Sequence, residues 1–179
     1  MLRRVAALCA AALIPVGGAV AAATTWDKNA GWLQQQIQAC AQRTGGFSCT
    51  YFPARALNQL FGIDEFCDAD HCLRPHEIAA EIAKDQRWTA LGKASDQTTL
   101  NQAQAMATGG LPVIAVQAAA DMGLVAIVMP GKLVSSQSWS KKVPLAVGTR
   151  LDKPEASVYS QALSFLFSDP SKVTLYVQK

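Results

Sequence analysis

Apolar and polar positions divide the chain into a helix-patterned first half and a strand-patterned second half. In "WDKNAGWLQQQIQACAQR", Trp32, Ile37 and Cys40 stand among strong helix formers, which predicts a helix over about Ala30–Arg43, broken by the following "TGG". In "FSCTYFPARALNQLFGI", Leu57, Leu60 and Phe61 share one helical face, and Gly62 stands where a left-handed residue ends a helix. "RPHEIAAEIAKDQRW" predicts a further helix: Pro75 suits its first turn, Glu77 sits near its positive end, and Ile78, Ile82 and Trp88 share a face. "GKASDQTT" reads as a loop, and "TLNQAQAMATGG" as a shorter helix stopped by two glycines.

Beyond that point the pattern changes. "LPVIAVQ" and "LVAIVMPG" are short apolar runs rich in β-branched residues, joined through "AAADMG", and read as adjacent buried strands. "KLVSSQSWSKKVPLAVG" predicts one or two more strands. Val173, Leu175 and Val177 alternate in "SKVTLYVQK" and predict a last one, with "ASVYSQALSFLF" before it read as a helix. Helices first and strands afterwards is the α+β order: N-terminal helices packed on a small antiparallel sheet. The pattern shows no internal repeat, low-complexity tract or linker, so residues 24–179 are expected to form a single domain.

The chain has 179 residues, half of them hydrophobic, and a formal charge of +3, which suits one domain with a core of its own. The positive excess is small and unclustered, which argues against a nucleic-acid partner. "MLRR" is a basic start, "VAALCAAALIPVGGAV" an apolar run and "AVAAA" a small-residue stretch. This is the layout of a secretory signal over residues 1–23, cut near Ala21–Ala23. A membrane anchor is the competing reading, but Pro15, Gly17 and Gly18 interrupt a run already short of the ~20 apolar residues a span needs. Cys9 stands too early for lipid attachment, and no second apolar run is long enough to span. The mature chain is therefore expected to be periplasmic or secreted, with no membrane partner after cleavage.

Four cysteines remain after the leader, and an oxidising compartment favours pairing them. Four cysteines allow three pairings. Cys67 and Cys72 flank "DADH" closely and form the preferred bridge; Cys40 then either pairs with Cys49 or both stay free. His71 and His76 near these cysteines offer enough donors for zinc, but the spacing fits no standard zinc pattern, so neither a metal nor another cofactor is expected.

A cysteine used for acyl transfer needs a site that favours its thiolate, a histidine within reach and a group orienting that histidine. "GGFSCTYFPARALNQLFGI" supplies a glycine-led loop, Cys49 and a helix, and the apolar strand pair follows roughly 60–80 residues later. At these residues, over about Phe47–Val143, the chain resembles the NlpC/P60 and CHAP group of papain-like peptidoglycan amidases and peptidases, which includes amidase toxins of bacterial secretion systems. The resemblance is carried by Cys49 ahead of "ALNQLFG", by "LNQAQAMATGGLPVIAV", by the "G-x-VAIV-x-PG" strand and by "S-x-x-W" from Ser136 to Trp139. It implies a papain-like fold, with Cys49 as nucleophile and a base on the second strand.

Two residues depart from that pattern. Leu124 stands where the group carries its histidine, and leucine accepts no proton. Left to its own pKa of about 8.5, Cys49 would be only a few per cent thiolate at neutral pH, and loss of a general base costs on the order of 10²–10⁴ in rate. Pro53, four residues after Cys49, also sets Cys49 outside the helix if it opens it. His71 and His76 read as surface residues before they read as bases. The resemblance puts the histidine-orienting residue near Ser136 and Gln137, while Trp139 reads as core or cleft wall. Three functions follow in order: a catalytically degenerate domain binding cell-wall peptide or a protein partner; an active amidase or endopeptidase acting through Cys49; and a disulfide-stabilised interaction or inhibitor protein.

Overall fold

A computed structural model describes residues 17–44, 46–68, 71–119 and 122–179. Of the expected leader, residues 1–16 lie outside the described residues, and the backbone of its cleavage region falls in the first helix, α1 (Gly17–Ala41). The remaining helices are α2 (Phe52–Phe61), α3 (Pro75–Ile82) and α4 (Gln97–Thr108). The strands are β1 (Trp88–Lys93), β2 (Val113–Gln117), β3 (Leu124–Val128), β4 (Val134–Ser136), β5 (Lys141–Val143), β6 (Leu145–Gly148), β7 (Val158–Ala162) and β8 (Thr174–Gln178). Six of them form one antiparallel sheet in the order β1-β8-β2-β3-β6-β7, and β4 and β5 form a separate hairpin. The α+β class and the antiparallel sheet agree with the sequence pattern.

Side chains alternate across a strand, so each sheet face has its own partners. Val125 and Ile127 of β3, with Ile114, Val116 and Val147, pack against Leu33 and Ile37 of α1, Leu57 and Leu60 of α2, and Ile78 and Ile82 of α3. Ala126 and Val128, with Val113, Ala115, Leu175 and Val177, pack against Leu100, Ala103 and Ala107 of α4. Leu163, Leu166 and Phe167 complete that second layer. The small residues Ala115 and Ala126, opposite each other in the β2–β3 register, let α4 approach closely.

Local chemistry accounts for the helix ends. Pro53 lies in the first turn of α2, where its missing N–H costs nothing, and Gly62 closes the helix at φ 69° with its N–H on the Asn58 carbonyl. Asp96 caps α4 by accepting from the Thr98 N–H at 3.0 Å.

Four elements differ from the pattern reading. α1 starts at Gly17, well before the expected Ala30. Trp88 does not continue the third helix: α3 ends at Ile82, and Trp88 opens β1, paired with β8 from Trp88↔Gln178 to Lys93↔Thr174. Its indole N–H donates to Glu65 Oε1 at 2.8 Å. "VYSQA" is strand β7 at the sheet edge beside β6, not a helix. "KLVSSQSWSKKVPLAVG" holds three short strands, with a turn at Ser140 (φ 52°) between β4 and β5. Each of the last three segments takes its form from pairing with another strand, which overrides local propensity.

Candidate functional site

Cys49 ends a 3-10 turn, Gly46–Cys49, just outside α2. Its sulfur is bonded to Cys40 on α1, and Cys67 is bonded to Cys72. Two disulfides are compatible with a chain that folds outside the cytoplasm. Cys49 thus holds no thiol to ionise. Its carbonyl accepts from Thr149 Oγ1 at 3.1 Å, which pins the turn to the end of β6.

That link brings the head of α2 to one end of the sheet, where a cleft of about 400 Å³ opens between Thr50, Tyr51, Arg74, His76, Met122 and Leu151. Gly123 makes the close approach possible. Its φ of +56° suits glycine, and a Cβ there would lie 3.2 Å from the His76 backbone nitrogen. The His76 Nδ1 is buried without a hydrogen-bond partner. The His71 ring meets Tyr51 edge-on at 5.8 Å. Both histidines therefore gather at the head of α2 although neither lies on a strand, a convergence that nothing in their sequence spacing signals.

Met122 and Leu151 also line a smaller hollow of about 180 Å³, which continues the cleft past Gln117 and Leu124 to Arg150 and Asp152. Arg150 Nε donates to Asp152 Oδ1 at 3.0 Å, Nη2 donates to Oδ2, and Nη1 donates to the Leu166 carbonyl at 3.2 Å. These bonds hold the Asp152 carboxyl below its usual range and raise Arg150. Arg74 is exposed at the opposite mouth, its backbone N–H on Glu77 Oε2 at 2.6 Å.

Leu124 is half-buried and packs with the α4-side cluster, whereas α1 and α2 cover the opposite face. Leu124 and Cys49 thus approach one end of the sheet from different faces. Ser136, Gln137 and Trp139 line no part of this cleft. Trp139 is buried, with its indole N–H on the Phe167 carbonyl at 3.1 Å, and its backbone N–H donates to the buried Ser136 Oγ at 3.2 Å. Gln137 is exposed beside them.

Among the described residues no group of three or more His, Cys, Asp or Glu side chains is placed to hold a metal ion. No helix among them is long and apolar enough to cross a membrane. Fold and site together define an α+β protein, doubly disulfide-bonded, with a mixed apolar and polar cleft at one sheet end. No protein-family model matches the chain, and no curated protein is similar to it.

Proposed function

We propose that the chain is an exported, catalytically inert relative of the papain-like NlpC/P60 and CHAP hydrolases that binds a cell-wall peptide in the cleft at the head of α2. The observation that carries this reading is the Cys40–Cys49 bond, which commits the sulfur at the nucleophile position; Leu124 offers no proton acceptor and packs on the α4 side of the sheet, away from Cys49. The cleft itself remains open. Apolar Met122 and Leu151 form its middle, Tyr51 and Gln117 offer hydrogen bonds, and exposed Arg74 offers a cation to a carboxylate. A short acidic peptide matches that order of groups.

Calorimetric titration of the mature protein with soluble stem peptides tests the reading. Saturable binding is expected, weakened about tenfold or more by Tyr51→Ala and by Arg74→Gln. Purified peptidoglycan should release no fragments with the wild type. Fragment release that Cys49→Ala abolishes would overturn the proposal in favour of an active amidase, and the absence of peptide binding would also reject it.

A further inference from the structure

A second groove lies between the β4–β5 hairpin and the turn that follows β7. Its deeper part, about 420 Å³, is lined by Ser135, Gln137, Ser138, Ser164 and Phe165. Past Ser135 and Ser136 it continues into a hollow of about 530 Å³ bearing Asn101, Lys141 and Lys142. Among the described residues, no carboxylate lines either part.

Phe165 is 63% exposed although its neighbours Leu163, Leu166 and Phe167 are buried. It sits on a 3-10 turn, Leu163–Phe165, that is closed by the Leu166 N–H on the Leu163 carbonyl. The Trp139 bond to the Phe167 carbonyl fixes this turn to the hairpin. The backbone that carries the ring is therefore held in place before any ligand arrives, which lowers the ordering cost of binding. A fixed aromatic face ringed by hydroxyl and amide groups suits a sugar. The ring covers the apolar C–H face of a pyranose, and the serines and Gln137 exchange hydrogen bonds with its hydroxyls. A membrane or a protein partner would call for a contiguous apolar patch, and among the described residues this groove has Phe165 alone as a large apolar group. The two lysines, with no acid facing them from the groove walls, favour a negatively charged ligand.

We propose that this groove binds an acidic oligosaccharide, with a pyranose ring on Phe165 and a carboxylate toward Lys141 and Lys142. The inference deepens the function proposed above and rests on it for the identity of the saccharide, a peptidoglycan strand. Neighbouring residues of one segment line the two sites: Phe165 the groove, Leu166 and Ser168 the smaller hollow of the peptide cleft.

The test titrates the mature protein with three probes: peptide-free glycan strands carrying lactyl carboxylates, neutral chitotetraose, and free stem peptide. The strands should bind saturably, and chitotetraose several-fold more weakly. Phe165→Ala should weaken strand binding at least tenfold with unchanged melting, and Phe165→Trp should retain it. The Lys141→Gln, Lys142→Gln double variant should lose several-fold in affinity and most of the salt dependence. No saturable binding of either saccharide at millimolar concentration, or equal affinity of wild type and Phe165→Ala, overturns the inference. Stem peptide bound without strands rejects the saccharide groove alone. Strands bound without stem peptide reject the peptide cleft alone.

Discussion

Replacing Cys40 and Cys49 together by alanine cuts the bridge that ties the turn before α2 to the end of α1. The bridge spans a sequence separation of 9 residues. The loop-entropy relation, −2.1 − 1.5R ln n, then gives about 2.6 kcal/mol at 25 °C. The same relation gives about 2.0 kcal/mol for Cys67–Cys72, whose separation is 5 residues. In a chain of this size each kcal/mol moves Tm by roughly 2–4 °C, so the double variant should melt roughly 5–10 °C lower. Calorimetry of the mature protein reads the shift. Alkylation of the unfolded but unreduced wild type should label no thiol. A Tm loss under about 2 °C, or two labelled thiols, would refute the reasoning. Cys40→Ala alone frees the Cys49 thiol and separates the structural role from the catalytic one. It should lose comparable stability and still release nothing from peptidoglycan.

Leu124→His should restore no hydrolysis, even in Cys40→Ala or under reductant, because this position packs with the α4-side cluster while Cys49 sits on the α2 side; peptidoglycan digestion by that variant would contradict the placement. Gly123→Ala should cost about 2 kcal/mol in denaturant unfolding, from a left-handed φ of +56° and a Cβ 3.2 Å from the His76 backbone; a neutral result would show that α3 yields easily. Acid should destabilise the fold. Hydrogen bonds hold the carboxyls of Asp152, Asp85, Asp96 and Asp169 below the ordinary aspartate range. A carboxylate with a depressed folded pKa contributes stability above its unfolded value, and that stability is lost as pH falls through the folded value. Tm should therefore be flat from about pH 7 to pH 5 as far as these groups decide it, and fall below about pH 4. Asp152→Asn should lose less on acidification, and a Tm rising from pH 5 to pH 3 would contradict the assignment.

Elements whose signal is local were legible in the sequence. The periodic face Leu57–Leu60 with the Gly62 stop marks α2, the apolar runs mark β2 and β3, and the Val173–Leu175–Val177 alternation places β8. Segments whose form depends on pairing with another strand were not. Trp88–Lys93 pairs with residues near the other end of the chain, and Val158–Ala162 pairs with β6, so their local patterns read as helix or loop.

The candidate site divides the same way. Residue identity alone removes a proton acceptor from position 124, since leucine has no lone pair to offer. The number of cysteines allows a bridge but does not choose its ends; that choice needs the approach of α1 to the turn at Cys49, which side-chain packing on one sheet face provides. The convergence of Tyr51 and His76 on Met122 is likewise absent from their spacing, because it depends on Gly123 letting α3 close against the start of β3. Composition and short-range period were enough for the α+β class, and residue identity for the lack of a side-chain proton acceptor at position 124. Which sulfurs pair emerged with the folded chain, because local spacing left more than one outcome open; which sheet face each side chain occupies and where a cleft remains depend on contacts between residues far apart in sequence.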